Sequence, residues 1–151
     1  MLKISDAVNL AFHAMIILAT NQDASPMSVA WMAKRLRVSD NHLAKVMQRL
    51  HKIGLVNSKR GPKGGFTLGR PAETIRLLDV FESIEGPISE RECLLTEPMC
   101  NGACCLLGGL LGSINNQVRT HLESTTLSHV CAVMDQTPGA ATKLTPGPPQ
   151  A

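Results

Sequence analysis

Between Val38 and Leu68 the hydrophobic period of the chain changes from that of a helix to that of a strand, with glycine and proline marking the change. Leu43, Val46, Met47, Leu50 and Ile53 recur at steps of three and four, the repeat of one helix face turned to a core. Gly54 then stands where a helix is closed by a left-handed residue. Beyond it, Leu55-Val56-Asn57-Ser58-Lys59 and Phe66-Thr67-Leu68 are short strand-like runs joined by the loop Arg60-Gly61-Pro62-Lys63-Gly64-Gly65, which reads as a hairpin. A helix that gives way after one glycine to a tight hairpin predicts a mainly helical domain with a two-stranded appendage.

Two more helices are expected upstream. Residues 5 to 19 carry Val8, Leu10, Phe12, Met15, Ile16 and Leu18, dense enough for a buried helix, with Ser5 or Asp6 as its N-cap. Ser25-Pro26-Met27-Ser28 breaks the pattern, and Ser28 can cap a second helix running to about Leu36. Val38-Ser39-Asp40 makes a tight turn in which Ser39 caps the third helix. Two helices so joined form a helix-turn-helix, whose second helix enters the major groove of DNA, and a hairpin after it makes a winged helix. With only four aromatic residues (Phe12, Trp31, Phe66, Phe81) the core is expected to be aliphatic, which suits helices. Trp31, among Val29, Ala30 and Met32, reads as core or interface packing.

Ten of the fifteen Lys and Arg residues fall between Lys34 and Arg70, where Asp40 is the only acid, so this segment carries +9 in a 151-residue chain of net charge +3. Residues 1 to 33 sum to −1 and residues 71 to 151 to −5. Charge sorted in this way directs one part of the surface toward a polyanion, and double-stranded DNA is the leading candidate. The polar face of the third helix offers Asn41, His42, Lys45, Gln48, Arg49 and Lys52. Ser39, Asn41, His42 and Lys45 lie in its first turns, where base edges are reached, while Arg49 and Lys52 sit farther along, toward phosphate. On the hairpin, Lys59, Arg60 and Lys63 supply charge, and glycines such as Gly64 let the backbone approach phosphates or a minor groove. His13, His51, His121 and His129 read as ordinary core or surface residues.

The stretch Leu43-x-x-Val46-x-x-x-Leu50-x-x-x-Gly54-Leu55-Val56-x-Ser58-x-Arg60-Gly61-Pro62-x-Gly64-Gly65-Phe66-x-Leu68 resembles the signature of the Rrf-type (IscR-, NsrR-, RirA- and CymR-like) winged helix-turn-helix transcription regulators. The resemblance runs from about Leu2 to Val133. It implies a homodimeric regulator on a partly palindromic operator, with Arg60 entering the minor groove, the third helix reading the major groove and a long C-terminal helix forming the dimer interface.

No secretory signal is legible, because the apolar stretch Phe12 to Ala19 follows Asp6 and has no basic flank. The apolar run Ala103 to Ile114 is short of the ~20 residues that span a bilayer. A cytoplasmic protein without a membrane partner is expected, and there five cysteines point to metal or redox chemistry rather than a disulfide scaffold. Four of them form Cys93-x6-Cys100-x3-Cys104-Cys105. Three thiolates in a short loop can hold zinc or most of an iron-sulfur cluster, or cycle between thiol and disulfide. Adjacent Cys104 and Cys105 point in different directions, so one of them is the expected ligand.

The resemblance implies an iron-sulfur cluster, 2Fe-2S ahead of 4Fe-4S, on Cys93, Cys100 and Cys105, with Cys104 the alternative third ligand and loss in aerobic preparations expected. Counting back from Thr126-Leu127, which resembles a family pair, sets Cys105 on the third family cysteine. The fourth ligand departs from the pattern: the family histidine falls on Gly108 and the family's N-terminal aspartate on or near Asn9. Asp6, one turn earlier, is the substitute candidate, ahead of Glu97, Cys104 and His13. A regulator switched by thiol-disulfide redox or by zinc, or one without a cluster, is the alternative. Cys131, in Val130-Cys131-Ala132-Val133, reads as a small buried hydrophobe.

Residues 103 to 123 read as the dimerisation helix, with Leu106, Leu107, Leu110, Leu111, Ile114, Val118 and Leu122 on a broad apolar face. Gly108 and Gly112 would let two backbones approach closely. A short helix from Ser128 to about Met134 is expected to fold back, and Thr137 to Ala151, rich in proline, reads as a disordered tail. The expected organisation is a winged helix-turn-helix domain over 1–86, a cysteine loop and dimerisation helix over 87–135, and a tail over 136–151. The chain carries no G-x-S-x-G, G-x-x-x-x-G-K or H-E-x-x-H pattern, and an enzyme is not expected.

Overall fold

Serine hydroxyls open the first three helices of the computed structural model, which describes residues 4–21, 23–88, 107 and 109–135. Helix α1 (Asp6–Ala19) is capped by Ser5, whose Oγ accepts from the Val8 amide at 3.3 Å. Helix α2 (Val29–Leu36) is capped by Ser28, accepting from Trp31 at 3.2 Å, and α3 (Asp40–Lys52) by Ser39, accepting from His42 at 3.2 Å. Each cap satisfies an amide for which the helix has no internal partner. The C-terminal ends of α2 and α3 close alike. Arg37 (φ 57°) is left-handed after α2 and Val38 N–H returns to the Ala33 carbonyl; Gly54 (φ 75°) follows α3 and Leu55 N–H returns to Leu50. Ile53 is the exception to the expected core face, 50% exposed because it lies in that closing turn.

The hairpin pairs β1 (Val56–Lys59) with β2 (Gly65–Leu68) antiparallel, Val56 opposite Leu68 and Lys59 opposite Gly65. It does not stand alone. Met27 and Phe66 exchange two backbone hydrogen bonds, each 2.9 Å, so one residue ahead of α2 serves as a third strand.

After the hairpin come a 3-10 turn (Ala72–Thr74), α4 (Leu77–Glu85), α5 (Leu110–Ser124) and α6 (Leu127–Asp135). The N-cap position of α4 is held by Arg76 rather than by Ser, Thr, Asn or Asp. Instead, the Asp79 carboxylate within its first turn accepts from the Arg76 amide at 3.3 Å. What holds α4 is burial of Leu78, Val80 and Phe81.

The core is organised around α1, whose Val8, Ala11, Ala14, Met15 and Ile17 are inaccessible to solvent. It shares one cluster with Leu43, Met47 and Leu50 of α3, with Leu55 and Val56 at the root of the hairpin, and with Leu127 of α6. A second cluster joins Val8 to Leu78, Phe81, Ile88 and Leu122. The last helix does fold back: Leu77 N–H donates to Thr125 and Leu127 N–H to Ile75, at 2.9 and 2.8 Å, and Val130, Cys131 and Met134 pack against the main core.

The helix expected over residues 103–123 begins only at Leu110. Gly109, at φ 78°, is left-handed, and a right-handed helix cannot pass through that conformation. Its apolar face is also divided. Leu111 and Leu122 are buried and Val118 half-buried within the subunit, whereas Leu110 and Ile114 remain 52% and 40% exposed. Leu106, Gly108, Cys93, Cys100, Cys104, Cys105 and the expected tail lie outside the described residues. Among the described residues no helix is long and apolar enough to cross a membrane.

Candidate nucleic-acid interface

Helix α3 divides cleanly because its apolar residues keep the helical step. Leu43, Val46, Met47 and Leu50 are buried, and Asn41, His42, Lys45, Gln48, Arg49 and Lys52 are all exposed, as is Ser39 at the cap. The expected base-reading residues thus share the first two turns of a helix whose amino end is free of covering side chains: Ser39, Asp40, Asn41 and His42 are each exposed.

On the hairpin, Lys59, Arg60 and Lys63 are exposed around a loop closed by the Gly64 amide on the Gly61 carbonyl at 2.9 Å. The loop is tight enough that a β-carbon at Gly64 would stand 2.3 Å from the Lys59 carbonyl oxygen. This makes Gly64 a shaping residue for the wing. His51 Nδ1 donates to the Val56 carbonyl at 2.9 Å, tying the last turn of α3 to the root of the wing. Helix and hairpin are therefore held in one frame: His51 joins them at one point, and Met27 fixes the hairpin to the body at another.

The basic block is not uniformly free. Arg70 pairs with Asp79 at 3.7 Å, Arg35 lies over the Trp31 ring at 5.6 Å, and Arg49 donates to the Ile84 carbonyl at 3.2 Å. Among the described residues, none of Lys45, Lys52, Lys59, Arg60 and Lys63 has a carboxylate within salt-bridge distance. These five exposed cations on α3 and the wing are what a polyanion would meet. Met27 and the Ile84 carbonyl have no signature in the sequence, since a one-residue strand and a backbone acceptor leave no pattern of residue types.

Asp6 is exposed in the first turn of α1. Its neighbour Ser5 donates its hydroxyl to the Glu85 carboxylate at the end of α4, and Ile88 shares a cluster with Val8. Asp6 thus lies at the end of the domain from which the chain leads to Cys93. His13 is engaged locally, Nδ1 donating to the Asn9 carbonyl at 2.8 Å. Among the described residues no three His, Cys, Asp or Glu side chains are grouped as metal ligands.

Residues 4–133 match the Rrf2 family, described as iron-dependent transcriptional regulator. The chain is 28% identical over 129 residues to the HTH-type transcriptional regulator IscR of Escherichia coli, covering 85% of this chain and 80% of that one. CymR of B. subtilis, described as the global cysteine regulator, superposes with a TM-score of 0.74 at 32% identity over 88% of this chain and 98% of its own. The oxidized form of Staphylococcus aureus CymR gives 0.69 at 30% identity, covering 86% and 96%. The family match spans α1 through α5 and the wing, and the relatives are regulators rather than enzymes. The chain belongs to the Rrf2 family and is a transcriptional regulator.

Proposed function

We propose that the protein is a homodimeric, DNA-binding regulator that places α3 in the major groove and the wing at the minor groove of a partly palindromic operator. The observation that carries this is the frame of α3 and wing, with Lys45, Lys52, Lys59, Arg60 and Lys63 exposed on it and unpaired among the described residues. Ser39, Asn41, His42, Lys45 and Gln48 have the side chains and the position to read base edges. Arg60, on a loop of small residues, suits a narrow minor groove, with Lys59, Lys63 and the backbone at Gly64 toward phosphate. Dimerisation through α5 is supported by the exposed Leu110 and Ile114. Two α3 helices then meet two half-sites about one helical turn apart, which the operator's partial symmetry mirrors.

Control of this interface is assigned to the segment bearing Cys93, Cys100, Cys104 and Cys105. Their thiolates are a soft donor set that fits an iron-sulfur cluster, 2Fe-2S first, held by Cys93, Cys100 and Cys105 or Cys104, with Asp6 as fourth ligand. When bound, such a cluster supplies a charge and a ligand set sensitive to oxygen, nitric oxide or redox potential. The position of Asp6 beside the end of α4 supports its candidacy. The likeness to CymR in its oxidized form favours a second reading, in which two of the thiols lose two protons and two electrons to a small oxidant and form a disulfide.

The deciding experiment pairs iron, sulfide and zinc assays on anaerobically kept protein with a DNA titration of the same sample. Iron and sulfide in equal amounts, with affinity changing on cluster removal, is the expected result. Zinc alone, or metal-free protein whose affinity follows thiol oxidation, sinks the cluster and leaves the DNA-binding reading standing. Arg60→Ala is expected to weaken binding tenfold or more at unchanged unfolding midpoint; full affinity in that variant would remove the wing from the interface. With five exposed cations per protomer on the frame, the log–log slope of affinity against salt should be steep, down to about −9 for a dimer that uses them all.

A further inference from the structure

Arg49, exposed on α3, donates through Nη1 to the carbonyl of Ile84, 35 residues along the chain, at 3.2 Å. Ile84 lies in the last turn of α4, where a helix leaves its final carbonyls without internal partners and presents the negative end of its dipole. A guanidinium there is held by charge as well as by geometry. The chain at and just beyond this turn has two other ties. Glu85 accepts from Ser5, the N-cap of α1, and Ile88 is 6% exposed within the cluster of Val8, Leu78, Phe81 and Leu122. Cys93 follows Ile88 by five residues. The end of α4 is thus a junction between the outward face of α3, the start of α1 and the chain that leads to the cysteines.

We propose that Arg49 is a positioning residue: its bond to the Ile84 carbonyl sets α3 against α4 and makes DNA affinity respond to displacement of the last turn of α4. The inference rests on the DNA-binding reading above, but not on which switch acts at the cysteines. Two recognition helices must fit two half-sites together, so a small change in the seat of α3 is felt twice in a dimer. A displacement of α4 can carry such a change only through a contact it would alter, and the Arg49–Ile84 bond is one that joins α4 directly to α3. A guanidinium committed to α4 also acts differently from one committed to phosphate. It shapes the fit of α3 without adding a released counterion.

A double-mutant cycle on the full chain tests this, using a duplex enriched from random sequence by the wild-type protein. Arg49→Gln removes the bond; Ile88→Val, with Ile88→Leu as a volume-conserving second variant, perturbs the junction from its buried side. Unfolding midpoints are read alongside. Each single variant is expected to weaken binding, and the double variant to fall short of the product of the two factors by threefold or more, because a shift of α4 no longer reaches α3. The salt slope of Arg49→Gln should equal that of wild type. Factors that simply multiply would overturn the proposal. So would a salt slope shallower by about two per dimer in Arg49→Gln, which marks Arg49 as a phosphate contact. Wild-type protein that enriches no duplex overturns the DNA-binding reading and this inference with it, an outcome distinct from both.

Discussion

Gly65 shows how closely a single residue can be specified. It has a φ of 154°, and a β-carbon added there would stand 2.4 Å from both the carbonyl carbon and the oxygen of Met27. The obstruction is backbone, which cannot rotate away as a side chain would. Gly65→Ala is therefore expected to lower stability by about 2–4 kcal/mol, from overpacking and conformational strain together. The measurement is a urea unfolding curve, read beside amide exchange at Met27 and Phe66, whose mutual hydrogen bonds should open first. Stability within ~0.5 kcal/mol of wild type would mean that the wing can swing off Met27 at no cost. The glycines of the loop are plain in the sequence, but their reasons differ. Gly64 is required by its own hairpin and Gly65 by a residue 38 positions earlier, and only the first reason is local.

Among the elements, the first three helices and the hairpin follow from short-range chemistry. Ser5, Ser28 and Ser39 each cap as a serine before an apolar period should, and the closing turns at Arg37 and Gly54 fall where the period stops. Ser39 has a double position, as cap of α3 and as an exposed residue on the end proposed to face DNA. Ser39→Ala should cost about 1 kcal/mol through the lost cap. Ser39→Asp keeps a cap and should restore stability while adding a negative charge toward DNA. Affinity that falls in Ser39→Asp as stability returns would separate the two roles, whereas affinity that tracks stability alone would remove Ser39 from the interface. The later helices were less legible. The 3.6-residue period of α5 is real, but period alone could not tell which apolar residues face the subunit's own α1 and α4 and which face outward. Leu122 and Val118 went one way, Leu110 and Ile114 the other. The glycines of this stretch read from the sequence as close-packing residues of one helix, and the left-handed backbone of Gly109 makes it the break instead.

At the scale of the whole molecule, the last helix belongs to the same core as the first. Leu127 has no exposed surface and lies among residues of α1, α3 and the wing root, held by the pairing of residues 75–77 with 125–127. Leu127→Ala should therefore destabilise the wing-bearing domain by about 2–5 kcal/mol, in one cooperative transition. A separate low-temperature transition for α5 and α6, with the rest unchanged, would contradict that linkage. The sorted charge, the capped helices, the glycine-closed hairpin and the thiol-rich segment were all open to reading from residue types, because caps, periods, turns and soft ligands act over a few positions of chain. Other features answer to no such rule: the clamp of Met27 on the wing, the turn of Arg49 toward α4 and the late start of α5. Each depends on which backbone atom or apolar surface arrives from a distant part of the chain, and that is set by how the core closes around α1.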